Sequence, residues 1–169
     1  MPALTFFLPG RVLLRAPLYR RMVARRSILI DDLHRRVSRD ASARTFSANR
    51  WLVEAVEGGA VLSAPAGNRV PDLVLSIDAE GHYEVYVGLF SPDGQPTEIE
   101  VRAGGSGPFK PLGHPGGEID CREVSFGIED LTGRGIVLRH PRDKRSFISY
   151  LRLVPRPQAS PPDVLPRIP

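Results

Sequence analysis

The chain has 169 residues, of which 41% are hydrophobic and 25% charged, with a formal net charge of +4. That length suits one ordinary domain with extra segments and can bury a core unaided by metal or disulfide, and the lone Cys121 excludes an internal disulfide. No run approaches the ~18–20 apolar residues that span a bilayer, and 16 glycines and 17 prolines favour turns over long helices.

Charge is unevenly spread. Residues 1–50 carry 11 arginines against Asp31, Asp32 and Asp40, a net +8, whereas the remainder carries 12 basic and 16 acidic residues, a net −4. The basic character belongs to the head, so a body of net negative charge is not expected to bind nucleic acid. The first residues are apolar but lack a basic lead-in and are broken by Pro9-Gly10, a poor secretory signal. The compartment is left open.

In chain order, residues 1–17 show no stable period. Leu18 to Val37 is the helical candidate, with Tyr19, Met22, Val23, Ile30, Leu33 and Val37 near one face. Ile28-Leu-Ile30 fits that helix less well, and a short strand is the alternative. Ser38 to Asn49 reads as a linker. Trp51 to Val56 reads as a strand or a helical turn, and Ala60 to Ala64 as a short strand. Asp72 to Ile77 and His82 to Phe90 alternate as strands, and the short Asp78–Gly81 link predicts that they form a hairpin. Within the second, Tyr83, Val85, Val87 and Leu89 share one face, while His82, Glu84, Tyr86, Gly88 and Phe90 share the other. Thr97 to Arg102 alternates with Ile99 and Val101 inward. Ala103 to Gly117 reads as a long glycine- and proline-rich loop. Ile119 to Phe126 is a strand, Ile128 to Gly133 a bend and Arg134 to His140 a strand. Ser146 to Val154 is apolar on both faces over much of its length, as expected of an interior strand.

Strands recurring without intervening helices predict an all-β fold, a two-sheet antiparallel β-sandwich. The expected division is a basic, partly helical N-terminal extension over 1–50, a sandwich over 51–155 and a proline-rich tail over 156–169. Over roughly 58–155 the chain resembles the jelly-roll sandwiches of the galactose-binding-like group, which include many carbohydrate-binding modules. Gly81-His-Tyr-Glu-Val-Tyr-Val-Gly88, Asp130-Leu-Thr-Gly-Arg-Gly-Ile-Val-Leu-Arg139 and Ser146-Phe-Ile-Ser-Tyr-Leu-Arg-Leu-Val154 carry the resemblance. It implies a non-catalytic carbohydrate-binding or accessory module of the kind found beside bacterial glycosidase-like domains. A catalytic barrel of about 250 residues has no room here. A structural or protein-interaction module with no small-molecule site is the alternative, its partner surface being the arginine-rich head or a sheet edge.

A sugar site needs flat aromatic faces and a few polar groups aimed at hydroxyls. Modules of this group often bind through loops at one edge, which makes Phe109, Lys110 and His114 the first candidates, with Tyr86 and His82 on the face opposite the core. The competing reading of Tyr83, Tyr86 and Tyr150 is packing. Glu118, Asp120 and Glu123 cluster, as do Glu129 and Asp130, yet solvated charge is the expectation rather than a glycosidase pair. No Asp-rich loop matches the structural calcium that related modules often carry. Cys121 with His114 or His140 would be needed for thiol catalysis, and no signature surrounds it. No cofactor and no enzymatic activity are expected.

Overall fold

A computed structural model describes residues 26–40 and 50–157; the expected irregular stretch over 1–17 and most of the linker and tail lie outside them. The described elements are β1 (Ile28–Ile30), α1 (Leu33–Asp40), β2 (Leu52–Val56), β3 (Gly59–Ala64), β4 (Leu73–Leu75), β5 (His82–Ser91), β6 (Thr97–Ala103), β7 (Lys110–His114), β8 (Asp120–Asp130), β9 (Ile136–Arg139) and β10 (Ser146–Pro155). The larger sheet has six strands in the order β2-β3-β10-β5-β8, with β1 also paired to β10, and the smaller has four in the order β4-β9-β6-β7. Every pairing is antiparallel. The fold is the expected all-β, two-sheet antiparallel sandwich.

The core forms where the two inner faces meet. Val85, Val87 and Leu89 of β5 are wholly buried, as are Leu151 and Leu153 of β10. Facing them from the smaller sheet are Ile99 and Val101 of β6, Ile136 and Leu138 of β9, and Leu75 of β4. Each such side chain contributes about 1.5–3 kcal/mol through burial. Trp51 and Tyr83 belong to this core, and the Trp51 indole N–H donates to the Pro71 carbonyl at 2.9 Å.

Several expectations are corrected. β4 and β5 do not form a hairpin: β4 pairs with β9 in the smaller sheet, while both edges of β5 are taken by β10 and β8. Six linking residues reach ~20 Å, ample to cross the ~10 Å between sheets. The long loop over 103–117 contains β7, which pairs with β6 from Thr97↔His114 to Val101↔Lys110. β7 lies at the sheet edge, where Pro111 is tolerated because no ladder donor is required on the open side. The bend over 128–133 begins late, since β8 runs on to Asp130.

The helix expected from residue 18 is described only over Leu33–Asp40; the part before residue 26 lies outside the described residues. Ile28–Ile30 takes the strand alternative, pairing with Leu151–Leu153. Asp32 then starts α1: its carbonyl accepts the Arg35 and Arg36 amides, and its carboxylate accepts Arg36 Nε at 2.9 Å. Ile30 and Leu33 enter the core, so part of the span expected as an extension completes the larger sheet.

Candidate functional site

The β10 strand carries the decisive irregularity. Ile148 lies opposite Leu89 and Tyr150 opposite Gly88, so two residues of β10 advance against one of β5. This is a β-bulge at Ser149, and bulges re-aim side chains. Strict alternation from the inward Ile148 would turn Tyr150 into the core. The bulge turns it out, and Leu151 and Leu153 resume the inward row.

Gly88 completes the arrangement. A methyl group placed there would sit 2.7 Å from Cε1 and 2.8 Å from both Cδ1 and Cζ of Tyr150. Near-equal distances to three consecutive ring atoms mean that the ring lies face-on over Gly88; an edge-on ring would spread them. The opposite face of the ring is therefore turned away from the sheet. Burial, with Cys121 and Glu123 nearby, pushes the Tyr150 phenol up to about 12.

Tyr150 lies on a groove of about 640 Å³. The groove sits where the edge of β10 changes partner: β3 pairs as far as Ile148, and β1 takes over from Leu151. Ser149, Tyr150 and Arg152 of β10 and Glu123 of β8 line it, together with the β1–α1 corner from Leu29 to Arg35 and the β2–β3 turn from Val56 to Ala60. Arg152 Nε donates to Glu123 at 2.6 Å and Nη2 donates to the other carboxylate oxygen. That pairing holds the Glu123 carboxyl below its ordinary range and raises Arg152.

The residues singled out from sequence are not brought together. Tyr86 is on the same outer face, with the Arg152 guanidinium 4.7 Å from its ring centroid. His82 lies at the start of β5, opposite Asp130. Phe109 sits against the smaller sheet, with the guanidiniums of Arg102 and Arg139 at 4.5 and 3.7 Å from its centroid. Arg139 is itself held by both carboxylate oxygens of Asp72, at 3.1 and 2.9 Å. Lys110 Nζ donates to the Phe126 carbonyl at 2.6 Å. His114 is buried, accepts the Gly116 amide at Nδ1 (2.9 Å) and donates from Nε2 to Asp120 at 2.7 Å. It staples β7 to β8, and both ring nitrogens are engaged.

The acidic clusters resolve into local pairs. Asp120 joins Arg122 and His114, and Asp130 accepts from Thr132 at 2.7 Å. Among the described residues no three His, Cys, Asp or Glu side chains converge as metal ligands. The Cys121 thiol is pushed up by burial, opposite to the shift that activates a nucleophile.

No protein-family model and no curated protein matches the chain. Solved structures similar to it come from glycosidases and carbohydrate-binding modules. One is the GH26-CBM35 β-(1,4)-mannanase of Podospora anserina, 14% identical over 74% of this chain and 26% of that one, with a TM-score of 0.43. A second is an exo-β-1,3-galactanase from Phanerochaete chrysosporium crystallised with galactose, 12% identical over 62% of this chain and 26% of that one, at 0.47. A third is the CBM36-1 domain of a multidomain xylanase from the hindgut metagenome of Trinervitermes trinervoides, 10% identical over 79% of this chain and 100% of that one, at 0.43. The chain thus spans about a quarter of the length of the first two.

Proposed function

We propose that this chain is a non-catalytic carbohydrate-binding or accessory β-sandwich module, and that its binding site is the groove over Tyr150 rather than the Phe109 region. The observation that carries this reading is the Tyr150 ring, laid flat over Gly88 and lining the groove. The electron-rich face of an aromatic ring attracts the C–H face of a pyranose. Ser149 and the charged side chains of the β1–α1 corner lie beside it, within reach of hydroxyl groups. Two of the groove carboxylates are engaged, Glu123 with Arg152 and Asp32 with Arg36.

The test is a glycan-array screen of the full chain at about 50 and 200 mM salt. Selective binding that persists at the higher salt is the expected result. Binding confined to acidic glycans and abolished by salt would place the activity on the arginine-rich head instead. Silence at both salts would contradict the reading.

A further inference from the structure

We infer that the groove recognises one sugar unit at a time, a chain terminus or a branch, and does not grip successive units of a linear polysaccharide. This rests on the carbohydrate reading of the same groove. Among the described residues that line the groove, Tyr150 is the one Phe, Tyr or Trp. A site that follows a linear chain needs further flat faces in register with the first. The neighbouring aromatic in that direction is Tyr86, directly opposite Arg152 in the ladder. Its ring carries the Arg152 guanidinium, which Glu123 fixes in place. Phe90, further along the outer row of β5, does not line the groove.

The backbone makes the same point. The groove occupies the notch where β3 leaves β10 and β1 arrives. Its flanks are the β1–α1 corner and the β2–β3 turn.

The experiment is calorimetric titration of the full chain with methyl glycosides and linear di- to hexasaccharides of glucose, mannose, galactose and xylose. In whichever series binds, affinity is expected to rise less than about threefold from the shortest bound sugar to the hexasaccharide. A gain of about tenfold or more across that range, equivalent to ~1.4 kcal/mol, would overturn the inference while leaving the carbohydrate reading intact. No binding in any series would overturn the carbohydrate reading, and the inference with it. Arg152→Ala uncovers Tyr86, and the hexasaccharide-to-monosaccharide affinity ratio is expected to rise. An unchanged ratio would contradict the capping of Tyr86 as the cause.

Discussion

Phe109 and Tyr150 are both aromatic rings set against the outside of a sheet, yet their circumstances are opposite. Phe109 lies beneath the guanidiniums of Arg102 and Arg139, one of them anchored by Asp72. Tyr150 lies on a glycine and lines the groove. The first ring is a structural post that organises charge on the smaller sheet, a use suited to cation–π geometry. The second is a platform. What separates them is not residue type, nor loop against strand, but which neighbour occupies the ring face. Because a glycine lies beneath Tyr150, the ring can settle on the backbone and leave its other face for a ligand.

The contrast breaks most sharply in Tyr150→Ala. Removing the platform is expected to weaken sugar binding by at least about tenfold, ~1.4 kcal/mol, in calorimetric titration. Gly88→Ala tests the same geometry from below. Gly88 does not have the left-handed backbone that resists substitution, so the new methyl acts by lifting the ring. A similar loss of binding is expected, with a stability cost of about 1–3 kcal/mol from overpacking in denaturant titration. In a Tyr150→Ala background the same change should be close to neutral, since a double-mutant cycle reports the contact between the two positions. Phe109→Ala is expected to leave binding within twofold and lower stability by about 1 kcal/mol, the scale of the lost cation–π contacts.

The smallest effects are those of pH. Tyr150 holds its proton to about 12, against 10.0 for a free tyrosine. The stability this contributes is full below pH 10 and is lost as pH rises toward 12, because the unfolded chain releases its proton first. A difference ultraviolet titration of the wild type against Tyr150→Phe should show that late ionisation. Asp93 behaves in the opposite sense. Arg145, first of its causes, lowers its pKa from 3.8 to about 2. Its contribution is present above 3.8 and is lost as pH falls toward 2, which acid unfolding of Asp93→Asn would show as a shallower pH dependence.

Much of the fold was legible because burial and alternation coincide: Tyr83 to Leu89 and Ile99 to Val101 read as inward rows and are so. β7 escaped notice because only Leu112 and His114 of its residues point inward, among proline and glycine. The β4–β5 crossing escaped notice because a short linker looks the same whether it turns within a sheet or passes between two. The candidate site was the least legible part. Tyr150 read as packing because buried aromatic side chains mostly pack, and an unbroken strand would indeed send it inward. The signal was the three-residue step from Ile148 to Leu151 in an otherwise two-residue row, together with a glycine in the outer row of β5. Leu29, Asp31, Asp32, His34 and Arg35, which form one wall of the groove, were hidden in an arginine-rich segment whose charge outweighed its pattern.

The most direct measurement is a side-by-side titration of wild type, Gly88→Ala and Phe109→Ala, all as full chains, with the best glycan from the array screen. The account predicts that wild type and Phe109→Ala bind alike and that Gly88→Ala binds at least about tenfold more weakly. Undiminished binding by Gly88→Ala, with loss in Phe109→Ala, would contradict it and return the site to the smaller sheet.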